Sequence, residues 1–271
     1  MGLRHAGQYL CGIKINENME NTILHKADTR GHADHGWLVS HQSFSFAGYF
    51  NPQRIQFGML RVLNDDIVAG GRGFGSHPHD NMEIISIPLE GSLVHEDNLG
   101  HRQVVSQGEI QVMSTGKGVF HSEYNNSPDQ PAKFLQIWVF PNRLNVEPRY
   151  DQVRLDPEKG HNRLQLLLSP GPGSENDRKG MGGADVEGSW IYQDAWFHMG
   201  RWDAGREFIY ELKKKGNGIY FFVIRGSFDV NGQPLEARDG LGITDRETVA
   251  VRSLEDESQI LVIEVPMQNK I

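Results

Sequence analysis

Helical periodicity is scarce in this chain, and strand-length runs take its place. Phe57-Gly-Met-Leu-Arg-Val-Leu63, Glu83-Ile-Ile-Ser-Ile-Pro-Leu89, Glu109-Ile-Gln-Val-Met113, Phe134-Leu-Gln-Ile-Trp-Val-Phe140, Ile219-Tyr-Phe-Phe-Val-Ile224 and Ile260-Leu-Val-Ile-Glu-Val265 are short, apolar or alternating, and bounded by Gly, Pro, Asn and Asp. Runs of this length between turn residues predict an all-β sandwich or barrel. Those apolar on both faces, such as 134–140, are expected between two layers.

An internal repeat divides the pattern in two. Ser86-Ile-Pro-Leu-Glu-Gly91-Ser92-Leu93 resembles Phe221-Phe-Val-Ile-Arg-Gly226-Ser227-Phe228, and a further glycine follows each copy, Gly108 and Gly240. Two barrels are expected, with the boundary near Glu147-Pro-Arg-Tyr-Asp151, so that 19–149 is one domain and 150–271 the other. Residues 1–18 read as a leader or an added extension, with Met19 the natural start. Residues 169–188 read as a Gly-rich surface loop.

The length of 271 residues suits two medium domains with cores of their own. A net charge of −8 argues against a nucleic-acid partner, since phosphate binding wants a basic face. No apolar run approaches the ~18 residues of a membrane span. The single cysteine, Cys11, allows no intramolecular disulfide and favours a cytoplasmic setting. A monomer is the default expectation.

Chemistry concentrates in 71–125. His77-Pro-His79 and His121-Ser-Glu123 each place two metal-capable side chains at i, i+2. On a strand such pairs share a face. If the two strands oppose each other, His77, His79, His121 and Glu123 converge as three imidazoles and one carboxylate. Glycines 71, 73 and 75 mark a turn where backbones pass closely. The donor types suit Fe(II), Mn(II), Co(II), Ni(II), Cu(II) or Zn(II). Four such donors leave two positions free on an octahedral ion and none on a tetrahedral one. Glu83 remains open as a fifth donor. Counting the same offsets from Gly226 and Gly240 lands on Leu212, Lys214, Ser253 and Glu255, and no His-x-His follows residue 125. The second barrel is therefore expected to hold no metal.

These residues resemble the cupin superfamily and, within it, the bacterial pirin-like proteins of the pirin family. The first cupin motif is carried by Gly71, His77-Pro-His79, Glu83 and Gly91, with seven residues instead of six between the last two. The second runs from Gly108 to His121 and Asn125, with Ser114 where cupins often have Pro. Gly31-His-Ala-Asp-His-Gly-Trp37, Ser43-Phe-Ser-Phe-Ala-Gly-Tyr49, Leu63-Asn-Asp-Asp66 and Gln136-Ile-Trp138 add pirin-like matches. The resemblance covers 22–271.

It implies a bicupin, two face-to-face β-barrels of the double-stranded β-helix type. One divalent metal ion, Fe(II) first, would sit in the N-terminal barrel on His77, His79, His121 and Glu123, with Glu83 outside the ligand set. It implies a metal-dependent dioxygenase that opens flavonols such as quercetin with O₂ and releases carbon monoxide. The alternative is a non-catalytic, iron-dependent regulatory protein that binds a protein partner, as eukaryotic relatives do. In the enzymatic reading, Glu123 is the catalytic base that accepts the flavonol 3-hydroxyl proton. Phe44, Phe46, Met59 and Phe74 are candidate walls for the flat substrate. His95 and His101 read as solvated residues of a hairpin turn, and His32, His35 and His41 as residues near the rim. His161 reads as a polar-loop residue, and His198 lies in a strand of the metal-free half.

Overall fold

The computed structural model describes residues 21–171 and 188–268, with the backbone of two short strands, β1 (Tyr9–Leu10) and β2 (Ile13–Lys14). Apart from those four residues, the expected leader lies outside the described residues, as does most of the Gly-rich stretch. Regular helix among the described residues is one 3₁₀ turn, Ala27–Thr29. It follows β3 (Thr22–His25). No helix among the described residues is long and apolar enough to cross a membrane.

The first half contains β4 (Gly31–Asp34), β5 (Leu38–Gln42), β6 (Leu60–Val68), β7 (Gly73–His79), β8 (Glu83–Glu90), β9 (Ser92–Asp97), β10 (Arg102–Ser106), β11 (Glu109–Ser114), β12 (Val119–Asn125), β13 (Ala132–Val139) and β14 (Arg149–Arg154). They form a seven-stranded sheet, β14-β11-β8-β13-β6-β5-β4, and a four-stranded one, β10-β9-β12-β7.

The second half contains β15 (Gln165–Pro170), β16 (Ser189–Ile191), β17 (Trp196–Trp202), β18 (Glu207–Glu211), β19 (Asn217–Arg225), β20 (Phe228–Val230), β21 (Gln233–Leu235), β22 (Gly240–Ile243), β23 (Thr248–Ser253) and β24 (Ser258–Pro266). Its sheets are β16-β15-β17-β24-β19-β22-β3 and β18-β23-β20-β21. Between β6–β13 and β17–β24 the two halves repeat one connectivity, while their edges differ, since β4 precedes β5 antiparallel to it and β16 follows β15 parallel to it. The repeated glycines close equivalent turns, Gly91 at φ 74° between β8 and β9 and Gly226 at φ 71° between β19 and β20. An L side chain is strained there, and glycine is not.

One edge position is filled by exchange. Beside β11 in the first half stands β14, and beside its counterpart β22 stands β3, from the other end of the chain. His25 pairs with Gly240 and Thr22 with Ile243.

Strand alternation sorts the side chains between two kinds of core. Ile85 and Ile87 of β8, Leu135, Ile137 and Val139 of β13, Tyr220, Phe222 and Ile224 of β19, and Leu261, Ile263 and Val265 of β24 make one buried cluster. The seven-stranded sheets of the two halves therefore pack against each other. The intervening residues point into the barrels. Ile219, Phe221, Val223, Ile260 and Val262 turn inward with Tyr210, Phe228, Val249 and Val251, filling the second barrel with apolar side chains. There, Phe208 opposes Val251 and Tyr210 opposes Val249 across β18 and β23, the strands equivalent to β7 and β12. Offset counting points instead to Leu212, Lys214, Ser253 and Glu255. The halves differ in loop length, and pairing rather than counting sets the match. Trp196 and Trp202 are core residues, at 4% and 3% exposure.

Candidate metal centre

The first barrel is lined differently. β7 and β12 run antiparallel, with His77 opposite His121 and His79 opposite Val119. His77 and His79 share a face, while Pro78 and Phe120 point out to solvent. The register shifts between His121 and Glu123, so Glu123 lies opposite Phe74. Such a bulge re-aims the side chains beside it. Gly73 makes it fit: a Cβ there would meet the carbonyl of Glu123 and lie 2.5 Å from Tyr124 Cα.

The donor atoms of His77, His79 and His121 all lie within 4.8 Å of one another. Ring centroids are 4.5 Å apart for His77–His121, 4.8 Å for His77–His79 and 5.0 Å for His79–His121. His77 Nδ1 sits 2.8 Å from the carbonyl of Gly75. A carbonyl only accepts, so Nδ1 carries the proton and Nε2 keeps its lone pair. Burial, then the neighbouring imidazoles, pushes His79 down to about 4 and His121 to about 3. Both are neutral at pH 7, the form that ligates.

Glu123 belongs to a second group with His121 and His95, again within 4.8 Å. The two groups share His121. The Glu123 carboxylate is buried and accepts hydrogen bonds from Ser86 Oγ (3.1 Å), Gln111 Nε2 (3.4 Å) and Gln136 Nε2 (2.9 Å). His121 Nε2 is buried and, among the described residues, has no hydrogen-bond partner. A buried, unpartnered lone pair beside two further imidazoles and a carboxylate fits a divalent metal ion.

Glu83 is turned the other way. It shares a face of β8 with Ile85 and Ile87, while Ser86 faces Glu123. Its carboxyl accepts from Ser114 Oγ at 2.6 Å and from the backbone N–H of Tyr192 in the second half. Burial raises it to about 7, against those hydrogen bonds. Glu83 is therefore no fifth donor to this group.

His95 corrects the sequence reading. It is not solvated but fully buried, at 0% exposure. Its Nδ1 lies 3.4 Å from His121 Nδ1 and its Nε2 3.0 Å from Asp97 Oδ2. His101 is half-buried and bonds Asp97 through Nδ1 at 2.9 Å. Burial pushes the Asp97 carboxyl up, but hydrogen bonds from His95, His101 and Leu99 outweigh it and hold Asp97 below its usual value. Sequence reasoning also missed Ser86, Gln111 and Gln136. The readable signal was parity, since Ser86 is out of phase with the apolar Ile85 and Ile87.

The expected walls divide. Phe44 and Met59 lie in the core between the barrels. Phe74 packs with Trp37 inside the first barrel. Phe46 meets Trp138 edge-on at 5.2 Å, and Trp138 lies 4.9 Å from His79. His32 and His41 contact each other at 4.8 Å and join neither donor group. His161 bonds Asp203, and His198 is buried against Tyr210.

Two barrels whose central strands share one connectivity, with imidazole and carboxylate side chains turned into the first, define a cupin-type fold with a candidate metal centre. Comparison with known proteins narrows the class. The pirin family model matches residues 24–139, and a model described as the quercetinase C-terminal cupin domain matches 182–265. The chain is 36% identical over 245 residues to the quercetin 2,3-dioxygenase of Escherichia coli, covering 90% of this chain and 98% of that protein. It is 36% identical over 235 residues to a pirin-like protein of Caulobacter vibrioides, covering 87% and 96%. The crystal structure of the Escherichia coli bacterial pirin YhhW in complex with nickel(II) superposes with a TM-score of 0.80 at 34% identity, over 90% of this chain and 99% of that one. The chain belongs to the pirin family.

Proposed function

We propose that this protein is a metal-dependent dioxygenase of the pirin type, opening flavonols such as quercetin with O₂ and releasing carbon monoxide. The observation that carries this reading is the group of His77, His79 and His121 with Glu123 beside His121, whose buried Nε2 is, among the described residues, unpartnered. His77, His79, His121 and Glu123 would hold one divalent ion, Fe(II) first, and the nickel(II) complex of the related pirin supports a divalent ion. The metal-holding domain, taken as 19–149, completes its sheet with β14 (Arg149–Arg154) and lends β3 (Thr22–His25) to the sheet of the second domain, 150–271.

When bound, the ion supplies Lewis acidity and the electronic means for reaction with O₂. The chain's own residues supply the rest. Glu123 accepts the proton of the flavonol 3-hydroxyl, while Ser86, Gln111 and Gln136 fix where its carboxylate points. Trp138 and Phe46 present apolar rings beside His79 for a flat aromatic ligand.

The test is oxygen uptake with carbon monoxide detection. Metal-free protein is loaded with Fe(II), and separately with Mn(II), Co(II), Ni(II), Cu(II) or Zn(II), and given quercetin. Carbon monoxide from the parent, absent in His77→Ala, is the expected result. Silence from every loaded form would overturn the proposal in favour of an iron-dependent regulatory protein.

A further inference from the structure

Behind His121 lies a buried row of hydrogen-bonding groups that the proposed reaction does not use. His121 Nδ1 faces His95 Nδ1 at 3.4 Å, and His95 Nε2 faces Asp97 Oδ2 at 3.0 Å. Asp97 Oδ1 accepts the backbone N–H groups of Leu99 and His101, both at 3.0 Å. Tyr150 of β14 stacks on His95 (4.7 Å, 29° between planes) and on His101 (5.2 Å, 21°). His95 is fully buried beneath it.

The proton order along this row follows from donor and acceptor chemistry. A carboxylate only accepts, so the proton between Asp97 and His95 sits on His95 Nε2. Where this is the one ring proton of His95, its Nδ1 is bare and can only accept. The proton between the two rings must sit on His121 Nδ1. That leaves His121 Nε2 bare, the atom found buried and unpartnered.

We infer that Asp97 and His95 set the tautomer of His121 and so present its Nε2 lone pair to the metal. They are positioning residues, and His95 is not itself a ligand. This rests on the metal-centre reading above. A ligating histidine whose other nitrogen is held by a carboxylate is a general device. Here a second imidazole is interposed, so the carboxylate acts one ring further out.

Asp97→Asn tests the order directly. The two backbone N–H groups keep the carbonyl oxygen of the new amide on their side, which turns its NH₂ toward His95 Nε2. His95 must then accept at Nε2 and carry its proton on Nδ1. His121 must accept at Nδ1 and carry its proton on Nε2, where it blocks ligation. His95→Gln is the conservative partner, because its carbonyl can accept from His121 while its NH₂ donates to Asp97. His95→Ala removes both.

Two measurements read the outcome. In metal-free protein with ¹⁵N-labelled histidine, two-bond ¹H–¹⁵N correlation should give His121 as the Nδ1–H tautomer in the parent and Nε2–H in Asp97→Asn. In chelator competition with nickel(II), Asp97→Asn and His95→Ala should each lose about 10–100-fold in affinity, with His95→Gln staying near the parent. An Nε2–H tautomer in the parent overturns the inference at once, whether or not any variant folds. So does His95→Gln falling as far as His95→Ala, which would mark His95 as a ligand or a packing residue. If the parent takes up no nickel or other divalent ion, the metal-centre reading fails instead. The tautomer result, obtained without metal, separates the two failures.

Discussion

Replacing Glu83 by glutamine should make the protein more stable at alkaline pH relative to the parent, and the amount can be worked out. Glu83 is 1% exposed, and burial lifts its carboxyl from 4.5 to about 7. Below pH 4.5 both folded and unfolded chains hold this proton. As pH rises toward 7 the unfolded chain releases it first. The folded state then binds more protons, so stability falls with rising pH and levels off above 7. The full difference is about 3 kcal/mol, of which roughly 2.5 kcal/mol falls between pH 5 and pH 8. Glutamine has no such proton, so the variant should gain that amount on the parent across the same interval. His79 and His121 titrate alike in both proteins and drop out of the comparison. Urea unfolding followed by tryptophan fluorescence at both pH values measures it, with an unchanged slope expected. Parallel pH profiles would refute the reasoning, and loss of metal affinity in the variant would refute the orientation of β8.

Two further outcomes follow from close packing. Gly73→Ala forces a methyl group against the backbone of Glu123 and Tyr124. It should cost about 1–3 kcal/mol in thermal unfolding and weaken nickel binding in chelator competition, and an unchanged affinity would refute the role given to the bulge. Phe222→Ala empties a fully buried site in the core shared by both halves. It should cost about 3–5 kcal/mol and lower the melting of both barrels together in calorimetry, whereas melting of the second barrel alone would refute their coupling through this core.

The all-β class and the doubled barrel were legible in the sequence, because Gly91-Ser92 and Gly226-Ser227 repeat the same turn out of a buried strand. The facing pairs were legible too, since i, i+2 spacing fixes a shared face on any strand. What the sequence hid depends on partners far away in the chain. His95 sits among turn-forming polar residues and reads as solvated, yet it is covered by Tyr150 of β14 and backed by β12. Phe44 and Met59 read as walls, but the second half claims them for the core between barrels. Offset counting failed in the second barrel because loop lengths differ while strand pairing is kept.

The exchange of β3 and β14 also orders events during synthesis. Strands β4 to β14 are contiguous, so the barrel carrying the donor groups can close once Arg154 has emerged. β3 emerges earlier still, but its partner Gly240–Ile243 follows roughly two hundred positions later, a pairing of high contact order. Thr22–His25 has β22 as its ladder partner, and Ile23 and Leu24 are 50% and 38% exposed even in the finished fold. The sheet of the second half is therefore complete only when a segment from before the first barrel is laid against one from well after it.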